Sequence, residues 1–360
     1  MAELHFHAKP TIAAIDAAIE ASQDASMRPY LGMSQIGNQC DRALWFGFRW
    51  CTPRKMPASA LKAIEDGHRG EDLMADRLRM VAGVTLHTVN PQTGKQFGVE
   101  GCGGHLKGHL DGAILGVHEA PKTWHVWEHK QVNETKFKKL ESLAQKLGEK
   151  EALKEWDATY YGQAISYMGF TGMERHFLTV ATPGGRAFTS IRTEFNRADF
   201  DKYCARAQHI IDSPTPPDGI SDDPDYYLCK WCEHKDLCHG TAAPLPTCRS
   251  CSHSTPEPGG TWTCARHQGK TLAVAEQKQG CDAHRVIPIL LRNWAEPIDA
   301  SDQDNWVKYR IKAGGEFTNG AQPAGYSSEE IHACKDKLAL GMVADQFKEL
   351  REQFGAEIVG

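Results

Sequence analysis

The stretch of sequence that decides the fold is GHLDGAILGVHEAPKTWHVWEHKQV, residues 108–132. The segments HLKGHLDGAILGV and TWHVWEHKQV read as strands, and the turn-forming residues HEAPKT lie between them. Because successive side chains of a strand point to opposite faces, Glu128 and Lys130 are expected on the same face. If the preceding strand pairs alongside, Asp111 reaches the same place. The stretch therefore predicts two carboxylates that converge beside a lysine.

Two converging carboxylates are typical ligands of a hard cation, and Mg²⁺ or Mn²⁺ suits such a site better than zinc does. A metal of this kind polarises a phosphate and lowers the pKa of a bound water, which becomes a nucleophile. We expect Lys130 to hold that water or to stabilise charge in the transition state. A single Asp, Glu or Lys on a hairpin is more often an ordinary exposed residue, so the prediction depends on the flanking elements.

Two predicted helices outside this hairpin add polar residues. His68 lies in EDGHRGED at helical spacing from apolar residues, which predicts that it faces inward, with Glu71 on a neighbouring face. Gln163 and Tyr167, in YGQAISY, are four residues apart and share one helix face. They are candidates to steady a strand or the lysine. The alternative for both helices is ordinary core packing.

Taken in order, these residues resemble the PD-(D/E)XK nuclease superfamily in its RecB-like branch. That branch reads as His, then G-x-x-D, then E-x-K, then Q-x3-Y. The matching positions are His68, Gly108 with Asp111, Glu128 with Lys130, and Gln163 with Tyr167. Leu110 stands where the motif has a proline. The resemblance covers roughly residues 34–240 and implies an α/β fold, a restriction-endonuclease-like mixed sheet flanked by helices.

The resemblance also implies a role for each matching residue. The metal ligands are expected to be His68, Asp111, Glu128 and the backbone carbonyl of His129. Lys130 is the implied catalytic lysine, and Gln163 and Tyr167 are implied supports on the substrate side. The implied reaction is Mg²⁺- or Mn²⁺-dependent hydrolysis of DNA.

Three closely spaced cysteines in YYLCKWCEHKDLCHG form a C-x2-C-x5-C pattern: Cys229, Cys232 and Cys238. Some RecB-like nucleases hold a 4Fe–4S cluster with one early and three late cysteines. The resemblance implies such a cluster here, with Cys40 as the early ligand and Cys51 as its competitor. Thiolates suit iron–sulfur clusters, and this one is expected to tie the N-terminal helix to the later segment. A zinc knuckle completed by His234 or His239 is the alternative.

A second group of cysteines follows a Pro-containing linker, with the spacing C-x2-C-x12-C-x16-C: Cys248, Cys251, Cys264 and Cys281. The pattern predicts a Zn²⁺ site, with His267 and His284 as alternate ligands. An unmetallated module, or one with a different metal, is the other interpretation. So short a segment buries little apolar surface, so metal is expected to stabilise it as a module not needed for the chemistry. The three cysteines predicted to be isolated and buried are Cys102, Cys204 and Cys334.

Composition sets the outer limits. The chain has 360 residues, is 41% hydrophobic and carries a net charge of -5, so it can bury a sizeable core and does not bind nucleic acid by bulk charge. A mean hydropathy of -0.49 without a long apolar run predicts no membrane span. Twelve cysteines without a signal peptide predict a cytoplasmic protein, and the resemblance implies a bacterial or phage-infected cell. We expect a nuclease domain over residues 1–240, a cysteine/histidine metal-binding module over 241–295 and a small α/β extension over 296–360.

The predicted function is that of an exonuclease acting on DNA ends or single strands in recombination or DNA processing, with a recombination or replication protein as a candidate partner. Lysines near the catalytic strand are candidates for phosphate contacts, although the interleaved glutamates equally suit a solvated helix: Lys136, Lys138, Lys139 and Lys146. Tryptophans are candidates for base stacking or for the core: Trp45, Trp50, Trp124, Trp127 and Trp231. Two alternatives are a DNA-end-binding scaffold whose nuclease site serves a complex and an iron–sulfur redox protein.

Overall fold

The computed structural model describes residues 9–24, 26–321 and 325–341. Its helices are α1 Pro10–Ala21, α2 Asp41–Phe48, α3 Ala58–Arg79, α4 Glu134–Leu147, α5 Glu149–Trp156, α6 Ala158–Thr171, α7 Arg197–Asp212, α8 Tyr227–Lys230, α9 Lys235–His239, α10 Val274–Gln277 and α11 Ser328–Ala339. Its strands are β1 Leu31–Gly32, β2 Thr85–His87, β3 Gly98–Gly101, β4 Leu106–His109, β5 Gly112–Leu115, β6 His125–Gln131, β7 Arg175–Ala181, β8 Phe188–Glu194, β9 Ser254–Glu257, β10 Thr261–Cys264, β11 Lys270–Thr271, β12 Ala295–Ser301, β13 Trp306–Ile311 and β14 Glu316–Asn319.

The chain divides into two compact units. The first comprises Met1–Ser26, Arg54–Val99 and Gly108–Phe200. The second comprises Met27–Pro53, Glu100–Lys107 and Asp201–Gly360. The domain boundaries predicted at residues 240 and 295 both fall inside the second unit, and the three-domain division stays a prediction.

The first unit contains a mixed sheet with the strand order β2-β5-β6-β7-β8. The β6–β7 pair is parallel, and the other neighbouring pairs are antiparallel. A parallel pair needs a long crossover, which α4, α5 and α6 supply between β6 and β7. The predicted α/β class, with a mixed sheet and helices, is confirmed.

The two faces of this sheet have different chemistry because the side chains of β6 alternate. Trp127 points to one face, where it packs with Phe177 and with Met74 and Ala75 of α3 in an apolar core. Glu128 is buried on the opposite face, where α6 contributes a hydrogen bond to it. The sheet therefore separates an apolar layer from a polar one, and the polar layer holds the candidate site.

The prediction that His68 faces inward is wrong, because His68 is exposed. The buried residues of α3 include Gly70 and Met74, and Glu71 is half-buried beside them. A helix turns by about 100° per residue, so His68 lies about 200° around the helix from Gly70. The Cβ that any other residue would add at position 70 lies 1.8 Å from Gln131 Oε1, so this glycine lets α3 approach β6 closely.

Two helices have boundaries that differ from those their sequences predict. Ser34 is a candidate N-cap for a helix running through Leu44, but it lies in the 3-10 turn Met33–Gln35, and α2 begins at Asp41 with Cys40 as its N-cap. The lysine- and glutamate-rich residues 135–156 predict one helix, which divides at Gly148, whose φ of 84° is left-handed. Its two parts are α4 and α5.

The second unit contains two antiparallel sheets, with the strand orders β9-β10-β11 and β12-β13-β14. Its core includes Trp45, Trp50 and Trp262, which are at most 1% exposed. The C-terminal helix predicted over residues 337–355 overlaps the end of α11, and residues 342–355 lie outside the described residues. Within the described ranges, none of the helices combines the length and the apolar character needed to cross a membrane.

Candidate active site and cysteine clusters

The candidate active site is centred on the buried carboxylate of Glu128 on β6. Lys130 Nζ donates a hydrogen bond of 2.8 Å to Glu128 Oε2, and Gln163 Nε2 of α6 donates one of 3.0 Å to the same oxygen. The side chain of Glu128 is 2% exposed and that of Lys130 is 19% exposed. The E-x-K pair is thus a buried ion pair on one strand face, as the alternation predicts.

Asp111 lies between β4 and β5, next to Glu128, because Gly112 pairs with Trp127 in the antiparallel ladder. Its Oδ2 accepts a 2.8 Å hydrogen bond from the backbone N of His129 and lies 3.9 Å from Lys130 Nζ. The predicted convergence of Asp111, Glu128 and Lys130 is therefore present in the structure.

Residues on α6 fix this arrangement from above. Gln163 Nε2 donates to Tyr167 Oη at 3.2 Å, and Tyr167 Oη donates to the carbonyl of His109 at 2.8 Å. The Tyr167 bond anchors the end of β4, two residues before Asp111. Gln163 therefore contacts the carboxylate of Glu128 directly, and Tyr167 holds the backbone of the strand that precedes Asp111.

The charges of the site are strongly coupled. The pKa of Glu128 is raised to about 8, mainly by burial and then by the charge of Asp111, against the opposing charge of Lys130. Burial disfavours the charged form of Lys130, but the carboxylates of Glu128 and Asp111 outweigh it and raise the pKa of the lysine above its ordinary range. Two carboxylates share one lysine in this site, so the site favours the binding of a further cation.

Glu71 is an acid near the candidate site that the motif does not include. The pKa of Glu71 is raised to about 7, mainly by burial and then by the charge of Asp111, against the opposing charge of Lys130. The carboxylate is therefore within electrostatic reach of Asp111 and Lys130. Exposed His68 forms no hydrogen bond or ion pair with these residues in the described part of the chain. The helical phase of Glu71, one position after buried Gly70, is the signal that selects it.

The ring of His129 lies on the apolar face of β6, away from the carboxylates. Its Nδ1 lies 3.1 Å from Thr179 Oγ1, and burial lowers its pKa to about 4, with a further contribution from the charge of Lys130. Only its backbone N contacts Asp111, and metal binding by its carbonyl stays a prediction.

No group of three or more His, Cys, Asp or Glu side chains among the described residues is arranged closely enough to hold a metal ion as it stands. The donor types nevertheless match the metals predicted. Carboxylate oxygens at Asp111, Glu128 and Glu71 suit Mg²⁺ or Mn²⁺, and grouped thiols suit zinc or iron. The catalytic, iron and zinc assignments are developed below as proposals.

The first cysteine group lies within the second unit around one small cavity. Its four predicted ligands, Cys40, Cys229, Cys232 and Cys238, all line that cavity. The apolar lining residues are Ala43, Phe46, Ile220 and Leu228. Arg42 Nη1 lies 3.4 Å from Cys238 Sγ, which places a positive charge beside the thiols. His234 and His239 also line the cavity, so the zinc alternative keeps its ligands.

Cys51, the competing fourth ligand, is buried and does not line that cavity in the described structure. Its Sγ lies 3.8 Å from the carbonyl of Arg49. Cys40 is the N-cap of α2 and Cys51 lies beyond its other end. The geometry favours Cys40.

The second cysteine group surrounds a cavity of about 300 Å³. All four predicted ligands line it: Cys248, Cys251, Cys264 and Cys281. Three histidines line it as well: His253, His267 and His284. His267 Nε2 lies 3.7 Å from Cys281 Sγ. His253, whose Nε2 lies 2.7 Å from Asn305 Oδ1, is a lining residue that the spacing of the cysteines did not indicate.

Two of the cysteines predicted to be isolated are neighbours. Cys102 Sγ lies 3.7 Å from the carbonyl of Cys204, and both residues are half-buried. Cys334 is buried, and its Sγ donates to the carbonyl of Glu330 at 2.8 Å. The prediction of isolated residues is therefore wrong for the first two.

The tryptophan and lysine side chains predicted to contact nucleic acid differ in their exposure to solvent. Trp45, Trp50 and Trp127 are at most 1% exposed, so the base-stacking role is excluded for them, whereas Trp231 is 84% exposed and Trp124 is 39% exposed. Among the lysines, Lys136 pairs with Asp157 and Lys138 with Glu134. Lys139 and Lys146 are exposed on α4.

No protein family model matches the chain, and no curated protein is significantly similar to it. Among solved structures, the chain is similar to an alkaline exonuclease from Laribacter hongkongensis, with a TM-score of 0.35 and 13% identity over 54% of this chain and 90% of that chain. The same exonuclease in complex with dAMP gives a TM-score of 0.33 and 13% identity, over 55% of this chain and 90% of that chain. The protein SSO0001 gives 0.33 and 14% identity, over 64% of this chain and 96% of that chain. At TM-scores this low, these likenesses do not contribute to the functional argument.

Proposed function

We propose that the protein is a Mg²⁺- or Mn²⁺-dependent deoxyribonuclease that hydrolyses phosphodiester bonds at DNA ends or in single strands. The observation that carries this proposal is the buried Glu128–Lys130 ion pair with Asp111 beside it. A carboxylate that is 2% exposed and shares a lysine with a second acid is costly for stability alone. Such an arrangement is expected where the acids hold a cation and the lysine acts on a phosphate.

Each residue has a chemical task in this proposal. Asp111 and Glu128 hold the cation through their oxygens, and Glu71 supplies a third carboxylate from α3. When bound, the cation polarises the phosphate and lowers the pKa of a bound water. Lys130 stabilises negative charge on the phosphate, and Gln163 orients the Glu128 carboxylate that it contacts at 3.0 Å.

We assign the two cysteine groups to separate metals in the second unit. Cys40, Cys229, Cys232 and Cys238 are the proposed ligands of a 4Fe–4S cluster, supported by their shared cavity with apolar walls. Cys248, Cys251, Cys264 and Cys281 are the proposed ligands of Zn²⁺. Both roles are structural. Phage recombination or DNA processing, with a recombination or replication protein as partner, is the proposed setting.

The test is cleavage of end-labelled linear DNA and of closed circular DNA, with Mg²⁺, with Mn²⁺ and with EDTA. We expect metal-dependent loss of the end label from linear DNA that Asp111→Ala and Glu128→Ala each abolish. Glu194→Gln is the matched control, because Glu194 is a half-exposed acid of the same unit that pairs with Lys150. Tight binding to ends without cleavage in either metal would favour the scaffold alternative. A reversible redox change without DNA binding would favour the iron–sulfur redox alternative.

A further inference from the structure

The second unit contains a set of buried arginines without acidic partners. Four arginines are at most 5% exposed among the described residues, and all of them belong to this unit: Arg42, Arg49, Arg249 and Arg285. In the part of the chain that the structure describes, none of the four forms an ion pair with Asp or Glu. Each lies close to a cysteine group.

Arg49 follows α2, and its hydrogen bonds in the described structure go to neutral carbonyl oxygens. Its Nη1 donates to the carbonyls of Arg249 and Ser254 at 3.3 and 3.2 Å, and its guanidinium stacks on the rings of Trp45 and Trp262. Burial lowers the pKa of Arg49, and the sulfurs of Cys51 and Cys251 oppose that effect, so both lie within electrostatic reach of its guanidinium. Arg49 therefore fixes the turn that carries Cys248 and Cys251 and adds a positive charge beside it.

Arg249 and Arg285 are held in the same way. Arg249 Nε donates to Gln277 Oε1 at 2.8 Å, and its Nη1 donates to the carbonyl of Phe48 at 3.0 Å. The side chain of Arg285 donates hydrogen bonds to backbone carbonyls, and its backbone N donates one to Cys251 Sγ at 3.5 Å. Arg49 and Arg285 thus lie within electrostatic reach of Cys251, whereas the side chain of Arg249 is directed to Gln277 and Phe48.

A buried charge without an opposite charge is strongly destabilising, even when its hydrogen bonds are satisfied by neutral groups. A negative charge near Arg49 and Arg285 would offset this cost. Cys251 is within reach of both and lines the 300 Å³ cavity with the other three thiols and Glu276, and a neutral thiol does not supply that charge. The more cysteines ligate a divalent metal as thiolates, the more negative the site becomes.

We propose that the second cysteine group binds one zinc ion with all four thiolates, and that Arg49 and Arg285 are the counter-charges of this dianionic site. The proposal rests on the zinc site of the proposed function and specifies its ligands and its surroundings. A site with three cysteines and one histidine carries a single negative charge and leaves more of the arginine charge unbalanced.

His284 is the strongest histidine competitor because it is 3% exposed and lines the cavity. Its Nε2 lies 2.8 Å from the carbonyl of Thr247, so this nitrogen carries the proton and donates the hydrogen bond. Its Nδ1 is buried without a hydrogen-bond partner in the described structure and has a free lone pair. The experiment therefore has to count sulfur and nitrogen ligands directly.

The first measurement uses the purified full-length protein. Its zinc content is determined, and X-ray absorption at the zinc edge counts the ligand types. We expect about one zinc per chain with about four sulfur ligands, as in closed structural sites. Three sulfurs and one nitrogen, or a chain without zinc, would overturn the proposal whatever the outcome of the DNA cleavage assay.

The second measurement compares zinc affinity, by competition with a chromophoric chelator, in Arg49→Gln, Arg49→Lys and Arg310→Gln. Arg310 is the matched control because it belongs to the same unit, is 64% exposed and pairs with Glu316. We expect Arg49→Gln to weaken zinc binding by about tenfold or more, Arg49→Lys to recover part of the loss, and Arg310→Gln to match the wild type. Equal affinities in all three variants would refute the counter-charge role while leaving the zinc site in place. If Arg49→Gln does not fold, the comparison of Arg49→Lys with wild type and the sulfur count decide the outcome.

Discussion

Replacing Lys130 by methionine tests the centre of the candidate site most directly. The substitution keeps an unbranched side chain one atom shorter than lysine and removes the charge that lies 2.8 Å from Glu128 Oε2 and 3.9 Å from Asp111 Oδ2. Removing one partner of a buried ion pair commonly costs about 3–5 kcal/mol of folding free energy. Because the pKa of Glu128 is already raised to about 8, this carboxylate takes up a proton at neutral pH, and we expect a smaller loss. The expected destabilisation is about 1–2 kcal/mol, of the order of one unsatisfied buried group.

The effect on catalysis is expected to be much larger than the effect on folding. Loss of one preorganised charged group at a reacting centre lowers the rate by about 100- to 1,000-fold. The assay combines urea unfolding with initial rates of label release from linear DNA at saturating Mn²⁺. Lys150→Met is the control, because Lys150 is half-exposed in the same unit and pairs with Glu194. If the folded Lys130→Met protein cleaves within about threefold of wild type, and EDTA still inhibits it, the active site lies elsewhere.

The remaining predictions concern the positioning of the candidate site, the first cysteine group and the pH dependence of stability. Tyr167→Phe deletes the hydroxyl that holds the carbonyl of His109, so we expect about a tenfold slower cleavage with the fold intact, measured by the same rates; an unchanged rate contradicts the positioning role. Cys40→Ala is expected to lose the iron of anaerobically purified protein and Cys51→Ala to keep it, as measured by iron content; the reverse result identifies Cys51 as the ligand. Burial lowers the pKa of His176 to about 3, with smaller contributions from Lys130 and His125, so the unfolded state binds more protons below an ordinary pKa of 6.5. Its contribution to stability is complete above about pH 6.5 and falls by about 1.4 kcal/mol per pH unit below it; in urea unfolding of metal-free protein, His176→Leu should reduce this slope, and an unchanged slope shows that this histidine is not responsible.

The central hairpin was predictable because its signal is local. Strand alternation alone places Glu128 and Lys130 on one face, and the turn between the strands brings Asp111 beside them. The i, i+4 spacing of Gln163 and Tyr167 likewise predicts a shared helix face. Each of these two predictions depends on fewer than 30 residues of chain, so local periodicity is enough to make it.

The choice between His68 and Glu71 was not predictable in the same way. Both residues lie on α3, and helical periodicity gives the angle between them but not which side packs on the sheet. The buried side is fixed by a long-range contact, the close approach of Gly70 to Gln131 of β6. A motif that expects histidine therefore selected the exposed residue, and tertiary packing selected the acid three positions later.

The independence of the zinc module was the other inference that the sequence could not test. A module that is not needed for the chemistry predicts that a chain ending after His239 loses its zinc but keeps its iron and its cleavage of short DNA. In the structure, Arg249 donates to the carbonyls of Phe48 and Pro29, and its guanidinium stacks 3.9 Å from the ring centre of Trp50. A chain without the module exposes Trp50 and Phe48, which are at most 2% exposed in the full chain.

The helix α2 connects the two cysteine groups within the second unit. Cys40 precedes its first residue and Arg49 follows its last, so its eight residues span about 12 Å between the two. The proposed zinc ion would fix the turn whose carbonyl Arg49 contacts, and that contact fixes one end of the helix whose other end presents Cys40. Truncation after His239 is therefore expected to lower iron content together with zinc, contrary to the expectation from the sequence. A truncated protein that keeps a full complement of iron would show instead that α2 is held by the first cysteine group alone.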